Sequence, residues 1–395
     1  MKKGGSTAPG GPRRALSAGR AQGFSLVELM IALLLGLLIT GSLISVFIAT
    51  RTASRSTSGI ASLTDGGRVA LDFLQQGVRS AGFMACNTPA HQRNLLTVGA
   101  SIAATDYLEP LGGYEAVGTT PGASISTVSA TATTQVAADT RASDWASTSA
   151  LGGALDSMLA GQVVQGSDVL VVHTLLTQTA PNPPTVYLTA PAAMNDTTVT
   201  VSALGGLQIG QVALISNCAT SVAVQIINIS GTVVTLAQGL PYAFGAGSQV
   251  GVADTIAYFI GVDPSSHNSA LFAFDLEGMA DSASSRTKLE ELVPDIENMQ
   301  ILYGIDTSSS LAVTQYVTAD QVASLASTGD FKGVFNVRIA VMAASPVYAK
   351  PANPTRGTVV LPPPLMLAGT TVQPPADTRL RRVFEMTVSV RNNGN

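Results

Sequence analysis

The chain has 395 residues, 12 % charged and 46 % hydrophobic, with a formal net charge of −4. That length allows a large core in one elaborate domain or two, and so few charges among abundant Ala, Ser, Thr, Val and Gly fit a secreted, β-rich domain with long loops. The acidic balance argues against a surface that neutralises phosphates, which needs clustered Lys and Arg, so no nucleic-acid partner is expected.

Residues 1–23 form a basic leader with Lys2, Lys3, Arg13, Arg14 and Arg20 and no acid. An apolar stretch follows, uncharged from Leu29 to Thr50 and long enough to span a bilayer as a helix. One carboxylate, Glu28, sits about a turn inside its leading end. An ionised carboxylate in hydrocarbon is costly and implies a partner. The basic leader keeps the N-terminus cytoplasmic and sends everything after Thr50 outward. Five of the 21 basic residues lie in the leader, so its removal would leave 16 against 25 acidic, a net charge of −9.

The order Gly23-Phe24-Ser25-Leu26-Val27-Glu28-Leu29 resembles the prepilin signal of type IV pilins and their minor-pilin and pseudopilin relatives. Three other readings of the segment exist: a Sec signal peptide, a twin-arginine signal at Arg13-Arg14, and an uncleaved anchor with a snorkelling Glu28. Sec cores run to about 7–15 residues before a small-residue site, and this core is much longer.

A second helical pattern over 51–86 continues the span, with Ile60, Leu63, Ala70, Leu74, Val78 and Ala81 at helix-like steps. Asp65-Gly66-Gly67 marks an expected weak point or kink, and Gly82 an expected end. Within the span Glu28, Ala32, Gly36 and Thr40 recur every four residues, a ridge of small side chains suited to close helix packing in lipid; the same residues are also ordinary in membrane helices. Residues 87–161 read as a loop-rich Ala/Ser/Thr region with one short helix near Trp145 to Leu159.

Residues 162–395 read as a β-rich globular domain. Strands are expected at Ser167–His173 and Gln211–Ser216, in a hairpin of Val222–Ile229 with Thr232–Ala237, and at Ile256–Ile260 and Ser269–Phe274. Two strongly alternating strands follow, from Phe335 and from Phe384 to Val390. Between them Pro351 to Pro375 reads as an extended surface connection. A long helix on an antiparallel sheet makes the fold class α+β. In an oxidising compartment Cys86 and Cys218 are expected to form a disulfide, the alternative being two buried thiols.

No catalytic pattern occurs. His91, His173 and His267 show no zinc spacing, and there is no nucleophile elbow, phosphate loop or dinucleotide fingerprint. The acids Glu290, Glu291, Asp295 and Glu297 read as a solvated turn. Neither enzyme activity nor a cofactor or metal is expected.

Several stretches resemble the PilW family of minor pilins: Gly67-Arg68-Val69-Ala70, Arg79-Ser80-Ala81-Gly82-Phe83…Cys86, Gly166-Ser167-Asp168-Val169-Leu170, Ile215-Ser216-Asn217-Cys218, Glu297 to Asp306, Gln315-Tyr316, Ala319-Asp320-Gln321-Val322, Val337-Arg338-Ile339 and Arg381-Arg382-Val383-Phe384. Val69 departs from the family's usual aromatic, Ala85 from its usual Gly. The resemblance implies a pilin-like fold, cleavage by a prepilin peptidase between Gly23 and Phe24, and N-methylation of Phe24. It further implies inner-membrane residence with a periplasmic head, and a role in type IV pilus assembly or priming beside other minor and major pilins on the inner-membrane assembly platform. The alternatives are a pseudopilin of a type II secretion system and, from another class, a membrane-anchored adhesin or ligand-binding module.

Overall fold

The computed structural model describes residues 25–83, 92–95, 107, 109–127, 138–148, 151–175, 186–217, 219–276, 289–346, 362–377 and 379–391. The expectations for Gly23, Phe24, Cys86 and Cys218 fall outside them. The chain divides into two compact units, one ending at Ala53 and one beginning at Ser54.

Helix α1 runs from Leu26 to Ser80. Gly66 and Gly67 lie within it, so the expected kink does not interrupt the helix. From Ser54 onward, in the second unit, it buries Gly59, Leu63, Gly67, Ala70, Leu74, Gly77 and Val78 at steps of three and four, the stripe of an amphipathic helix. Ile60, expected on that stripe, is exposed. Glycines within the buried stripe let neighbours come close: the Phe384 ring fills the space beside Gly67, and a β-carbon on Gly77 would stand 2.8 Å from the Tyr258 ring. The helix stops where Gly82 takes a left-handed φ of 67°.

Three short strands and one buried strand precede residue 150: β1 (Gln92–Asn94), β2 (Leu111–Ala116), β3 (Ser124–Ser126) and β4 (Trp145–Ala146). The expectation of plain loops over 87–161 is thus corrected, because β2 is buried along its whole length. The expected helix near Trp145 is corrected too: a 3-10 turn at Ala142–Asp144 leads into β4 and then turns. Next come β5 (Val169–Leu175), β6 (Val186–Tyr187), β7 (Thr198–Thr200), β8 (Val212–Ser216), β9 (Ser221–Ser230), β10 (Val233–Leu236) and β11 (Gln249–Val262). The expected hairpin is β9–β10, turning at Gly231 with φ 60°. The remaining strands are β12 (Ser269–Asp275), β13 (Leu289–Pro294), β14 (Ile296–Ile305), β15 (Gln315–Val317), β16 (Val334–Ala344), β17 (Leu365–Leu367), β18 (Thr370–Gln373) and β19 (Arg381–Ser389).

The long strand β11 belongs to two neighbourhoods. Its second half pairs antiparallel with β5 and β12, and its first half with β6 and β8, from which β9, β10 and β7 follow. The first-half neighbourhood, residues 186–252, is a lobe with its own apolar core that includes Leu188, Ile215, Val224, Leu236 and Phe244. Asp196 is its only Asp, Glu, Lys or Arg.

The principal core gathers α1, β2, β5, the second half of β11, β12 and a four-stranded sheet ordered β15-β14-β16-β19. Strand β16 is expected to alternate, yet Ala340 and Met342 on its outer face are also buried. The β17–β18 hairpin covers them with Leu367, Ala368 and Val372. That hairpin, paired to β3, replaces part of the extended connection expected over Pro351 to Pro375.

Candidate functional site

The leading end of α1 is built from Ser25 and Glu28. The Ser25 hydroxyl accepts a hydrogen bond from the Glu28 backbone N–H at 3.2 Å, which satisfies one of the free donors of a helix start. Ser25-Leu26-Val27-Glu28 has the S-x-x-E spacing of a capping box, a local signal that a reading focused on the membrane acid passes over. The Glu28 carboxylate itself is exposed and has no hydrogen-bond or ion-pair partner among the described residues.

Other polar groups along the span look after themselves. The hydroxyls of Ser42, Ser45 and Thr50 donate to the carbonyls of Leu38, Ser42 and Val46 at 3.0, 2.8 and 2.8 Å, and Thr40 donates to Gly36. Each is satisfied within the helix, as a hydroxyl in lipid must be. Glu28 is the exception.

Every side chain from Leu26 to Thr50 is exposed, Leu37 by 77 %. An apolar surface this large on all sides of a helix is not one that a soluble monomer presents to water. At 1.5 Å per residue, Leu29 to Thr50 covers about 33 Å, the depth of a bilayer's hydrocarbon. The first cation beyond it, Arg51, lies 4.7 Å over the Phe47 ring. This is a membrane-anchoring helix.

Ala32, Gly36 and Thr40 share the exposed ridge with Glu28. A β-carbon added at Gly36 or Gly41 would meet nothing within 4 Å, so the protein's own fold does not require glycine there. Glycine inside a helix costs about 1 kcal/mol relative to alanine. Gly67 and Gly77, by contrast, sit under aromatic rings of the chain itself.

The second unit contains two buried polar clusters. In the first, Asp168 accepts the backbone N–H groups of Ala116 at 3.0 Å and Ile301 at 2.8 Å, binding β2 to β14. Its neighbour Ser167 accepts from Met299 N–H at 3.1 Å through its hydroxyl and from the Trp145 indole at 2.8 Å through its carbonyl. The Asn298 and Gln300 amides donate to the Gly166 carbonyl at 2.7 and 2.9 Å. Two stretches far apart in sequence, Gly166–Leu170 and Glu297–Asp306, are thereby stitched together. Burial raises the Asp168 pKa above the usual carboxylate range, although the two amide bonds oppose the shift.

In the second cluster, Arg381 holds Glu297 at 2.6 and 3.0 Å and Asp377 at 2.6 Å through each of two nitrogens. Arg379 adds Glu297 at 3.3 Å and Asp295. The side chains of Arg381 and Glu297 are only 2 % and 1 % exposed. The expected solvated turn is corrected here for Asp295 and Glu297, which anchor the last strand through charge-assisted bonds. Burial disfavours the Arg381 cation, but the bonds to Asp377 and Glu297 outweigh it and the pKa rises. Among the described residues no group of three or more His, Cys, Asp or Glu is placed to hold a metal.

Comparison with known families gives two matches. Residues 257–392 match the model of the PilW family, type IV pilus-assembly protein W, and residues 19–44 match the prokaryotic N-terminal methylation motif. The first spans the second half of β11 through β19, including both Arg379 and Arg381; the second takes in Glu28, Ala32, Gly36 and Thr40. The lobe at 186–252 lies outside both. No curated protein matches the chain.

Proposed function

We infer that this type IV pilus-related, pilin-like protein is a minor pilin that takes part in assembling or priming a type IV pilus. In this reading a prepilin peptidase cuts between Gly23 and Phe24 on the cytoplasmic side and methylates the new Phe24 amine. The mature chain then rests in the inner membrane as a single-pass protein with a periplasmic head. Its helix is drawn into the filament, among other minor and major pilins, at the inner-membrane assembly platform. The work is assembly rather than catalysis.

The observation that carries the reading is Glu28, the one acid of the exposed apolar span from Leu26 to Thr50, where the hydroxyls of Ser42, Ser45 and Thr50 are satisfied within the helix. Cleavage would expose an α-amino group, largely protonated at neutral pH. In a low-dielectric helix bundle a neighbour's amine attracts the carboxylate strongly, and pairing offsets the desolvation that each charge bears alone. The pair therefore fixes axial register between subunits. Ala32, Gly36 and Thr40 supply the small surface that lets the neighbouring helix approach. In the periplasm Cys86 and Cys218 join in a disulfide.

Terminal sequencing of protein isolated from its own cells tests this reading: the mature chain should begin at N-methylated Phe24. A chain beginning at Met1, or one beginning beyond Thr50, would overturn it. A type II secretion pseudopilin shares the same N-terminal motif, and deleting the gene separates the two, since pili vanish in one case and secreted enzymes in the other.

A further inference from the structure

The register of β2 against β5 pairs Tyr114 with Val169, which sets Glu115 opposite Asp168. Like charges directly opposite on paired strands repel, and both side chains are buried, at 4 % and 2 % exposure. Set opposite each other in this way, the two carboxyl groups act on one another by charge and by hydrogen bonding. Two acceptors cannot share such a bond unless one of them carries a proton.

The surroundings decide which one. Asp168 receives two backbone N–H groups, from Ala116 and Ile301, the setting of a carboxylate. Among the described residues Glu115 receives the Thr119 hydroxyl, at 3.0 Å, and no backbone N–H, the setting of the protonated acid.

Among the described residues, the charged groups that act on the pair are acids and none is a cation. From β14 the facing titratable group is Tyr303, whose hydroxyl donates to the Gly112 carbonyl at 3.3 Å. From the 319–321 turn it is a third acid, Asp320, which accepts from the Thr318 hydroxyl at 2.6 Å. From the 331–333 turn the Phe331 ring packs edge-on against Tyr303, while Lys332 is engaged with Asp330 at 3.1 Å. Beside β4, Asp144 is held by Arg141 at 2.7 Å. Burial, and after it the neighbouring acids, favour the neutral form of Glu115.

We propose that Glu115 and Asp168 form a proton-locked seam, an acid–carboxylate pair whose retained proton holds β2, β5 and β14 together, so that this seam is tightest in acid and loosens as the medium turns alkaline. The proton resides on Glu115 and is donated to Asp168, and ionising it leaves two buried anions face to face. In the unfolded chain Glu115 ionises near its ordinary value of about 4.3. Above roughly pH 5 Glu115 therefore keeps in the folded protein a proton that it has lost in the unfolded one, and Asp168, raised by burial to about 7, adds to the difference below that value. Each pH unit then raises the unfolding constant about tenfold through Glu115; below about pH 4 both states hold its proton and the contribution is fully present. The inference does not depend on the role in a pilus.

The test is urea unfolding of the full chain in detergent micelles from pH 5 to pH 8, followed by the fluorescence of Trp145, the only tryptophan. Glu115→Gln keeps a donor toward Asp168 but carries no titrating proton. The ratio of wild-type to variant unfolding constants should climb about tenfold per pH unit. Parallel pH dependence in the two proteins would overturn the proposal. Infrared spectra supply a second readout that needs no stable variant: wild-type protein at pH 8 should retain the carbonyl band of a protonated carboxylic acid, and its absence would overturn the proposal equally.

Discussion

The ring of Phe384 occupies the place where a side chain at Gly67 would stand. Strand β19 can press against α1 only because the helix is bare at that point, so Gly67 serves contact and not a bend.

The two glycines should respond in opposite directions. Gly67→Ala forces the Phe384 ring aside and is expected to destabilise the head by about 1–3 kcal/mol. At Gly66 an added β-carbon has Val293 at a comfortable 3.7 Å, so Gly66→Ala should stabilise by up to about 1 kcal/mol. Urea midpoints of the two variants decide the matter. Adding Phe384→Ala should make Gly67→Ala nearly harmless, a coupling that a double-mutant cycle measures.

Arg381 balances two carboxylates in a nearly dry setting. Arg381→Met should strip Asp377 and Glu297 of their paired contacts with this guanidinium, leaving Glu297 to Arg379 at 3.3 Å, and cost up to about 3–5 kcal/mol, read as a lowered denaturation midpoint. Replacing Glu385, whose contact with Arg338 is half-exposed at 3.6 Å, should change stability by less than about 1 kcal/mol.

Glu28→Val removes the one acid of the span without touching the head. Mature protein of normal size and normal membrane extraction are expected, with sharply reduced protein in sheared filaments by immunoblot. Undiminished incorporation would count against the pairing of Glu28 with a neighbour's amine. Gly36→Leu should reduce incorporation as well, because the added side chain meets nothing in the chain's own fold.

If Cys86 and Cys218 are bridged, non-reducing gels with peptide mapping will recover a linked pair. Reduction should then lower stability by about 4–5 kcal/mol, the loop-closure value for so long a loop. Two free thiols after denaturation in the presence of an alkylating agent would show the opposite.

Much of the architecture was legible because its periodicity is local. The span, the β9–β10 hairpin, the β11–β12 pair and the alternating β19 each announce themselves within about ten residues of sequence. Strand β2 did not. Its Gly112-Gly113 reads as loop chemistry, yet those glycines admit the Leu151 side chain, 2.7 Å from a β-carbon on Gly112, and the Tyr303 hydroxyl over Gly113. The buried ion network was hidden for a different reason. Asp295 and Glu297 look solvated until their cations arrive 84 residues later, and no local pattern carries that information. At the N-terminus the reverse holds: Glu28 was legible as an anomaly because nothing nearby answers its charge.

The lobe at 186–252 has a consequence for the media in which the protein works. Salt weakens interactions by screening charge, and Asp196, the lobe's single formal charge, is bonded to the Ala193 backbone N–H at 2.6 Å. Ions in solution find almost nothing there to screen. This part of the surface will keep the same character in fresh water and in brine.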